Sequence, residues 1–348
     1  MELDMQKLEP LLGKMVTEIG AAANASLVVL GDRLGLFRTL AADGALTSTE
    51  LAEKTGTSER YVREWLSAQA VTGFIDYDPP SGTFSMSPEQ AALLGSPESP
   101  LDMTGAFYMA ASLHADEPKL EDAFRSGAGI RWDNRCNCLF CGMDRTSPSG
   151  YKPFLLSEWL PALEGVVDKL EHGARVADVG CGYGGSTEMM AAAFPNSEFI
   201  GFDFHEASIA HAREHNGRSN LRFEVVRAQD YSGRGFDLVT MFDALHDMGD
   251  PVGAARHVKQ ALAPDGTLML VEPLAGDRLE DNFNPMSRLC YAASTAICLP
   301  ASLDQEVGAA LGAQAGEKRL AEVAREAGFS RFRRVAETPM SMVLEVRP

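Results

Sequence analysis

A strand, a glycine-rich turn and a helix follow one another between residues 175 and 194. The apolar segment Arg175–Val179 precedes three alternating glycines, Gly180, Gly182 and Gly184, and a helix-forming stretch comes after them. Glycine is required where a chain turns sharply and where a ligand must lie against bare backbone. The amides at the start of the following helix point into the same space. This order predicts a nucleotide-type cofactor site at the edge of a parallel sheet.

The glycines alone do not identify the cofactor, because Gly180, Gly182 and Gly185 also satisfy the G-x-G-x-x-G pattern of dinucleotide sites. Asp178 lies two residues before the first glycine, where a carboxylate is unfavourable beside a pyrophosphate but suits a cation. Asp-x-Gly-x-Gly-x-Gly after a strand resembles motif I of the class I methyltransferases, which bind the sulfonium S-adenosyl-L-methionine. The resemblance implies this cofactor, held by Asp178 and the alternating glycines. A nicotinamide-dependent oxidoreductase is the alternative that the glycines leave open.

Strand and helix patterns alternate from residue 175 onward, as in doubly wound α/β proteins. Strands are predicted at 175–179, 198–202, 221–226, 236–242 and 267–272, with a last pair at 330–336 and 341–347. Ligands of such sheets bind off the carboxyl ends of the strands. The last pair fits the antiparallel finish of the methyltransferase sheet. The predicted fold class is therefore α/β, a Rossmann-like class I methyltransferase sheet.

An N-terminal all-helical and winged-helix domain is predicted ahead of the sheet. Thr47 and Glu50 match a capping box that begins a helix, which ends near Gly56. A second helix is expected over 58–72, and a hairpin turns at 78–82. An amphipathic helical stripe precedes these elements, and such stripes usually bury against the domain or a second subunit. Its apolar residues are Leu8, Leu11, Leu12, Met15, Val16 and Ile19.

Three parts of the chain are predicted from these patterns. Residues 1–95 form a winged-helix dimerisation domain, 96–170 a helical linker and substrate lid, and 171–348 the S-adenosylmethionine-binding methyltransferase domain. Within the linker, residues 151–170 have the spacing of one long amphipathic helix. A homodimer is expected.

The formal net charge of −18 at pH 7 argues against nucleic-acid and anionic-membrane partners, because phosphate binding needs a basic surface. The second helix of the winged-helix region carries as many acidic as basic residues, so DNA binding is not favoured. A non-catalytic regulator that senses S-adenosylmethionine stays open as an alternative. The chain opens without a basic, apolar leader pattern and has no bilayer-length apolar run, so a cytoplasmic location is expected.

Acidic residues follow two further predicted strands. Asp203 ends the second strand, where a carboxylate can accept both ribose hydroxyls of a nucleotide. Asp230 follows the third strand, and the resembled family places an acidic residue there against the adenine amino group. Neighbouring residues at the strand ends complete the expected cofactor set: Phe204, Gln229, Tyr231, Phe242 and Asp243.

His246 and Asp247 lie on the loop between the fourth strand and the next helix, at the same edge of the sheet. This pair resembles the His-Asp of plant-type small-molecule O-methyltransferases, in which the histidine is the general base. Those enzymes also have an N-terminal winged-helix dimerisation domain. The resemblance implies that His246 takes a proton from an oxygen or sulfur acceptor and that Glu272 orients it. Histidine suits this task because its pKa lies near neutrality.

Residues 274–314 interrupt the sheet pattern, and a segment there covers the active-site mouth in the resembled family. The expected substrate is a small molecule, although no residue identifies it. The candidate substrate contacts are Tyr108, Asn284, Arg288 and Tyr291.

Cys136, Cys138 and Cys141 form a tight cluster in the sequence. Three thiols can bind zinc, copper or arsenite, although a structural zinc site usually has four ligands. Thiols packed in a lid are the favoured interpretation, and no metal is assigned. A thiol or metalloid methyltransferase that uses this trio is an alternative function. The remaining cysteines, Cys181, Cys290 and Cys298, are interpreted as core or pocket-lining residues.

Overall fold

The computed structural model of the chain describes residues 3–348, of which 147–149 are described by their backbone alone. The chain divides into two compact units. The first consists of the chain up to Ala115 together with Cys136–Gly150, and the second consists of Asp116–Arg135 together with Tyr151–Pro348.

The elements before the large sheet are α1 (Met5–Arg33), α2 (Leu36–Asp43), α3 (Ser48–Thr55), α4 (Glu59–Thr72), β1 (Asp76–Asp78), β2 (Thr83–Ser85), α5 (Pro88–Gln90), α6 (Thr104–Ala115), α7 (Glu117–Ser126), α8 (Asn137–Tyr151), α9 (Leu160–Ala162) and α10 (Val166–His172). The elements that follow are β3 (Arg175–Val179), α11 (Gly185–Ala193), β4 (Glu198–Asp203), α12 (Glu206–His215), β5 (Leu221–Val225), β6 (Phe236–Phe242), α13 (Pro251–Ala261), β7 (Leu262–Pro273), α14 (Pro285–Ala293), α15 (Leu299–Leu303), α16 (Gly316–Glu326), β8 (Arg331–Glu337) and β9 (Ser341–Arg347).

The first unit contains the predicted helix–turn–helix and hairpin. The side chain of Thr47 accepts from the Glu50 amide at the start of α3, and the Glu50 carboxylate accepts from the Thr47 amide, so the predicted capping box is present. Strands β1 and β2 pair antiparallel as the wing. A buried core holds these elements together, with Phe37 and Trp65 in edge-to-face contact at a centroid distance of 4.8 Å.

Helix α1 leaves much of its apolar stripe uncovered within the single chain. Exposed side chains on it include Leu11, Leu12, Met15, Val16 and Ile19. Among residues 3–348, no single helix has both the length and the hydropathy to cross a membrane; only α1 taken with α2, bent by 64°, meets those criteria.

The second unit is built on a seven-stranded sheet of order β5-β4-β3-β6-β7-β9-β8. Strands β5, β4, β3, β6 and β7 are parallel, and β9 pairs antiparallel with both β7 and β8. Alternate residues along the strands pack into two separate cores, one with α13 and α16 and the other with α10, α11 and α12. The predicted Rossmann-like fold is confirmed. Its strand order reverses between β3 and β6, where such sheets bind ligands.

The long helix predicted for 151–170 is wrong. A π-helical turn covers Leu155–Trp159, α9 ends at Ala162, and α10 begins only at Val166. Gly165 stands between α9 and α10 with φ +71, a conformation that ends a regular helix. The apolar residues of this segment still enter the core, since Leu155, Trp159 and Leu170 are fully buried.

Candidate active site

The glycine turn lies between β3 and α11, and its three alternating glycines have different surroundings. Gly180, Gly182 and Gly184 have φ values of +78, +54 and +83, which favour glycine. A Cβ on Gly180 would lie 2.6 Å from Ala244, and one on Gly184 would lie 2.4 Å from the Phe223 ring. A Cβ on Gly182 would meet nothing within 4 Å. The outer two glycines therefore allow close packing, and Gly182 borders open space that a ligand can fill.

Asp178 lies beneath this turn rather than in the open space. Its carboxylate is fully buried and accepts hydrogen bonds from the hydroxyls of Ser186 (2.9 Å), Thr187 (2.5 Å) and Thr240 (2.9 Å). Burial raises its pKa, and the three hydroxyls act against that shift. These hydrogen bonds fix the start of α11 against β6. The direct contact of Asp178 with a cationic ligand stays a prediction.

Asp203, at the end of β4, is directly tied to the glycine turn. Its carboxylate accepts from the Gly182 amide at 2.9 Å and from the His205 amide at 2.8 Å. Burial raises its pKa, while these two backbone hydrogen bonds oppose the rise. The ring of Phe204 is exposed beside it. Asp203, Phe204 and Gly182 thus lie at the edge of the sheet where the strand order reverses.

The residues after β5 do not all face the crevice. The Gln229 amide donates to the Asp250 carbonyl at 3.4 Å, and exposed Asp230 is paired with Arg227 at 2.8 Å. Tyr231 is 2% exposed, and its ring stacks on Phe202 at a centroid distance of 4.6 Å. Tyr231 therefore belongs to the core of the sheet, and its place in the cofactor site stays a prediction.

Phe242 and Asp243 end β6 opposite the glycine turn. Phe242 is buried, and Asp243 adopts φ +46, an uncommon conformation for a residue other than glycine. The Tyr151 hydroxyl donates to the Asp243 carboxylate, and the Tyr151 ring packs on Phe242 at a centroid distance of 5.1 Å. Burial raises the pKa of Asp243 to about 6, while the hydrogen bond from Tyr151 opposes the rise. Tyr151 was not identified from the sequence, where nothing distinguishes it from other helix-flanking aromatics.

The structure brings His246 and Glu272 together. Nδ1 of His246 lies 2.5 Å from Oε2 of Glu272, and the other Glu272 oxygen accepts from the Leu245 amide at 3.1 Å. Nε2 of His246 lies 3.3 Å from a carboxylate oxygen of Asp247. Burial opposes protonation of His246, but the charges of Glu272 and Asp247 outweigh it and raise the pKa of the imidazole well above its ordinary value.

Three residues of the segment after β7 hold this loop in place. The Ser302 hydroxyl donates to the Met248 carbonyl at 2.9 Å. The Gln305 side chain donates to the Asp247 carbonyl at 2.9 Å and accepts from the Gly249 amide at 3.0 Å. Cys298, at the end of a π-helical turn, is buried beside His246 and Asp247, and burial raises the pKa of its thiol to about 12. Nothing in the sequence indicates the contacts of Ser302 and Gln305, and Cys298 was predicted only as a core or pocket-lining residue.

The predicted substrate contacts come from both units. The Asn284 side chain accepts from the Ser287 amide and caps α14. Arg288 is exposed and Tyr291 is half-buried on the same helix. Tyr108 is buried inside the first unit, where its hydroxyl donates to Asp32 at 2.8 Å. The assignment of these four residues to a substrate site stays a prediction.

The cysteine trio does not form a ligand cluster. Cys136 and Cys138 are half-buried and Cys141 is exposed, and none of the three forms a disulfide. Cys136 immediately precedes α8, and the other two lie near its start. The Cys138 sulfur lies 3.4 Å from a guanidinium nitrogen of Arg33. Within residues 3–348, the donor atoms of three or more His, Cys, Asp or Glu side chains converge within 4.8 Å at His246, Asp247 and Cys298, and not at the trio.

Two parts of the chain match known domain families. Residues 22–96 match the Rv2258c-like winged HTH domain, and residues 177–268 match a methyltransferase domain. The trans-aconitate 2-methyltransferase of Variovorax paradoxus is 34% identical over 104 residues, which are 30% of this chain and 40% of that protein. A ubiquinone biosynthesis O-methyltransferase of Neisseria meningitidis is 35% identical over 103 residues, covering 27% of this chain and 42% of that protein. The chain thus spans less than half the length of these two relatives.

Solved structures resemble almost the whole chain. Human N-acetylserotonin methyltransferase, in complex with S-adenosylmethionine, has a TM-score of 0.73 at 16% identity and covers 99% of this chain and 98% of its own. The mitomycin 7-O-methyltransferase has a TM-score of 0.70 at 21% identity, covering 99% and 100%. At these identities the likeness concerns the fold.

The chain thus combines a segment that matches a winged HTH domain with a segment that matches a methyltransferase domain, in agreement with the two domain types predicted from its sequence. The methyltransferase domain confirms S-adenosyl-L-methionine as the expected cofactor. These findings do not favour the metalloid methyltransferase or the non-catalytic regulator.

Proposed function

We propose that the protein transfers a methyl group from S-adenosyl-L-methionine to an oxygen of a small-molecule acceptor, with His246 as the general base. The observation that carries the proposal is the pairing of His246 with Glu272 at 2.5 Å, on the same sheet edge as the glycine turn. Two relatives of part of the chain are named as methyltransferases, a trans-aconitate 2-methyltransferase and a ubiquinone biosynthesis O-methyltransferase, and these names support methyl transfer to a small molecule. Sulfur acceptors are a second outcome of the assay described below.

The residues at the crevice fit the cofactor. Open space above Gly182 allows a ligand to lie on bare backbone, and the Asp203 carboxylate stands beside it to bind ribose hydroxyls. Phe204 offers an apolar face, and Asp243 adds a negative charge that favours a cationic ligand. Gln229, Asp230 and Phe242 complete the proposed set. When bound, the cofactor supplies a methyl group already activated by its positive sulfur.

The chain's part in the reaction is to align the acceptor and to take its proton. Neutral His246 accepts the proton of the acceptor hydroxyl on Nε2 as the oxygen–methyl bond forms. Glu272 keeps the Nδ1 proton on the far side of the ring and stabilises the resulting imidazolium, and Asp247 adds to that stabilisation. The methyl group needs only in-line alignment, so positioning supplies much of the remaining acceleration.

A homodimer built on α1 is part of the proposal. The exposed apolar side chains of α1 form a long stripe, which monomeric proteins rarely leave uncovered. We likewise propose three parts of the chain. Residues 1–95 are the dimerisation domain, 96–170 are the linker and substrate lid, and 171–348 are the catalytic domain.

The deciding experiment measures release of S-adenosylhomocysteine with a panel of phenols, carboxylic acids and thiols. We expect turnover with a hydroxyl or carboxylate acceptor in the wild type and a loss of about 100-fold or more in His246→Gln, the usual range for a general base. His172→Gln is the matched control, since His172 is exposed at the end of α10. Equal turnover of His246→Gln and wild type overturns the base assignment. No turnover with any acceptor, despite cofactor binding, overturns the proposed activity.

A further inference from the structure

Three different metal-ligand types converge beside the proposed base. One nitrogen of His246, one oxygen of Asp247 and the sulfur of Cys298 all lie within 4.8 Å of one another. Tetrahedral zinc with ligands at about 2.0–2.3 Å holds its donors roughly 3.3–3.8 Å apart. The three donors therefore need to approach one another by at most about 1–1.5 Å, which side-chain rotation on a loop and a π-helical turn permits.

The surroundings of the imidazole are those of a metal-ligating histidine. Such residues almost always donate their second ring N–H to a carboxylate, which fixes the tautomer and directs the other nitrogen at the metal. Glu272 holds Nδ1 of His246 in this way, and it is fixed in turn by the Leu245 amide. Nε2 is therefore the nitrogen that faces Asp247.

The buried carboxylate of the cluster also favours a cation. Oδ1 of Asp247 is buried and lies 3.3 Å from Nε2 of His246, so an oxygen and a nitrogen that can both bind a metal already face one another. The negative charges of Asp243 and Glu272 lie close enough to act on Asp247, and a bound cation offsets that repulsion. The protein's own cations that act on Asp247 are protonated His246 and Arg135. Arg135 is also paired with Asp116 at 3.2 Å.

We propose that His246, Asp247 and Cys298 form a binding site for a zinc ion, with the fourth position open to water or an acceptor oxygen. The nitrogen, oxygen and thiolate set matches zinc, and three protein ligands with one open position are typical of non-structural sites. Binding releases two protons when it starts from imidazolium and thiol: one leaves Nε2 of His246 and one leaves the sulfur of Cys298. The zinc ion takes the lone pair of each atom.

Zinc at this site inhibits methyl transfer, because the Nε2 lone pair cannot ligate a metal and accept a proton at once. This consequence rests on the proposed function, whereas metal binding itself does not. The two are therefore tested separately, with binding measured on the protein without acceptor or cofactor.

Cobalt(II) is the probe for binding, because a cysteine ligand produces a thiolate-to-cobalt charge-transfer band and tetrahedral coordination produces visible d–d bands. We expect both in the full-length wild-type protein, and displacement of cobalt by zinc. Cys298→Ser and Asp247→Asn should remove the charge-transfer band or weaken zinc binding at least about 10-fold, and Glu272→Gln should weaken it about 10- to 100-fold as the loss of an orienting carboxylate. Cys141→Ser is the control and should keep the band, since Cys141 is an exposed thiol in the first unit.

Circular dichroism shows whether each variant is folded. If Cys298→Ser does not fold, Asp247→Asn tests the site instead. Absence of the charge-transfer band in the wild type overturns the zinc site. A band that survives in Cys298→Ser, or that disappears in Cys141→Ser, also overturns it, because the ligand is then another thiol. If zinc binds as expected but leaves turnover unchanged, the site stands and the assignment of His246 as base fails.

Discussion

Nδ1 of His246 lies 2.5 Å from Oε2 of Glu272, and the two residues come from the loop after β6 and from β7. The strands are hydrogen-bonded neighbours in the sheet, with Phe242 opposite Val271. Adjacent parallel strands bring their carboxyl ends to one edge, so a glutamate that ends β7 reaches a histidine that follows β6. This pairing sets both the orientation of the imidazole and its proton affinity.

Replacing Glu272 by glutamine should move the acid limb of the kcat/KM profile to lower pH by at least about one unit, since one unit corresponds to about 1.4 kcal/mol of lost interaction. Only neutral His246 accepts a proton, so activity rises with pH through its pKa. Glu272 raises that pKa, and its neutral amide removes the effect. A pH profile of wild type and Glu272→Gln measures the shift. An unchanged acid limb would mean that His246 is not the titrating base.

Asp203→Asn should weaken S-adenosylmethionine binding about 10- to 100-fold, the range for a lost hydrogen bond to a charged group. The Gly182 and His205 amides donate to different oxygens of Asp203, so the asparagine side chain can accept from only one of them and has no second oxygen for a ribose hydroxyl. Isothermal calorimetry measures the affinity. Asp265→Asn is the matched control because Asp265 is exposed and paired with Lys169. Equal affinities for Asp203→Asn and wild type would reject the ribose role.

The positions of the site residues that the sequence predicted depend on sheet geometry, whereas the roles of His246 and Glu272 were implied by the family resemblance. Asp203 ends β4, Glu272 lies near the end of β7 and His246 lies on the loop after β6, and the carboxyl ends of parallel strands share one edge. The direction of a side chain cannot be predicted from the strand pattern. Asp178 belongs to the expected motif, yet its carboxylate points into the core, where it accepts hydrogen bonds from Ser186, Thr187 and Thr240 on two other elements.

Two residues that the sequence did not reveal reach the site through long-range contacts. Tyr151 donates to Asp243 and Gln305 donates to the Asp247 carbonyl, and no local periodicity encodes either contact. Cys298 was expected only as a core or pocket-lining residue, without a specific partner. The wrong helix over 151–170 has a related cause. Its apolar spacing reflects burial against the sheet, while Gly165 sets the local backbone conformation.

Tyr151→Phe should move the pH dependence of cofactor binding upward. Burial raises the pKa of Asp243 to about 6, and the hydrogen bond from Tyr151 limits the rise. Wild-type affinity for the cationic cofactor should therefore fall as the pH drops below about 6 and Asp243 becomes neutral. Without the Tyr151 hydroxyl, the pKa rises further and affinity falls at a higher pH. Calorimetry over a pH series tests this, with Tyr77→Phe in the hairpin of the first unit as the control; coincident curves would contradict it.

Gly184→Ala should destabilise the protein by about 2–4 kcal/mol, from a strained positive φ together with overpacking. Gly184 has φ +83, and a Cβ there would lie 2.4 Å from the Phe223 ring. Gly217→Ala is the matched control, because a Cβ at Gly217 meets nothing within 4 Å and its φ is not positive. Urea titration followed by circular dichroism gives the free energy of unfolding for each variant. Equal losses in the two variants would show that the turn tolerates a side chain.

The stripe on α1 is the basis of the last prediction. Val16 and Ile19 are 70% and 63% exposed in the single chain, and burying such side chains stabilises an interface by about 1.5–3 kcal/mol each. We therefore expect the wild-type protein to be a dimer at micromolar concentration and the double variant Val16→Glu with Ile19→Glu to be a monomer. Light scattering coupled to size-exclusion chromatography measures the molar mass of each. Val71→Glu on α4 is the control, since Val71 is 92% exposed and lies outside the stripe. A wild type that is monomeric throughout, or a double variant that remains a dimer, would contradict the proposed role of α1. A variant that becomes monomeric but keeps its turnover would show that each subunit has a complete active site.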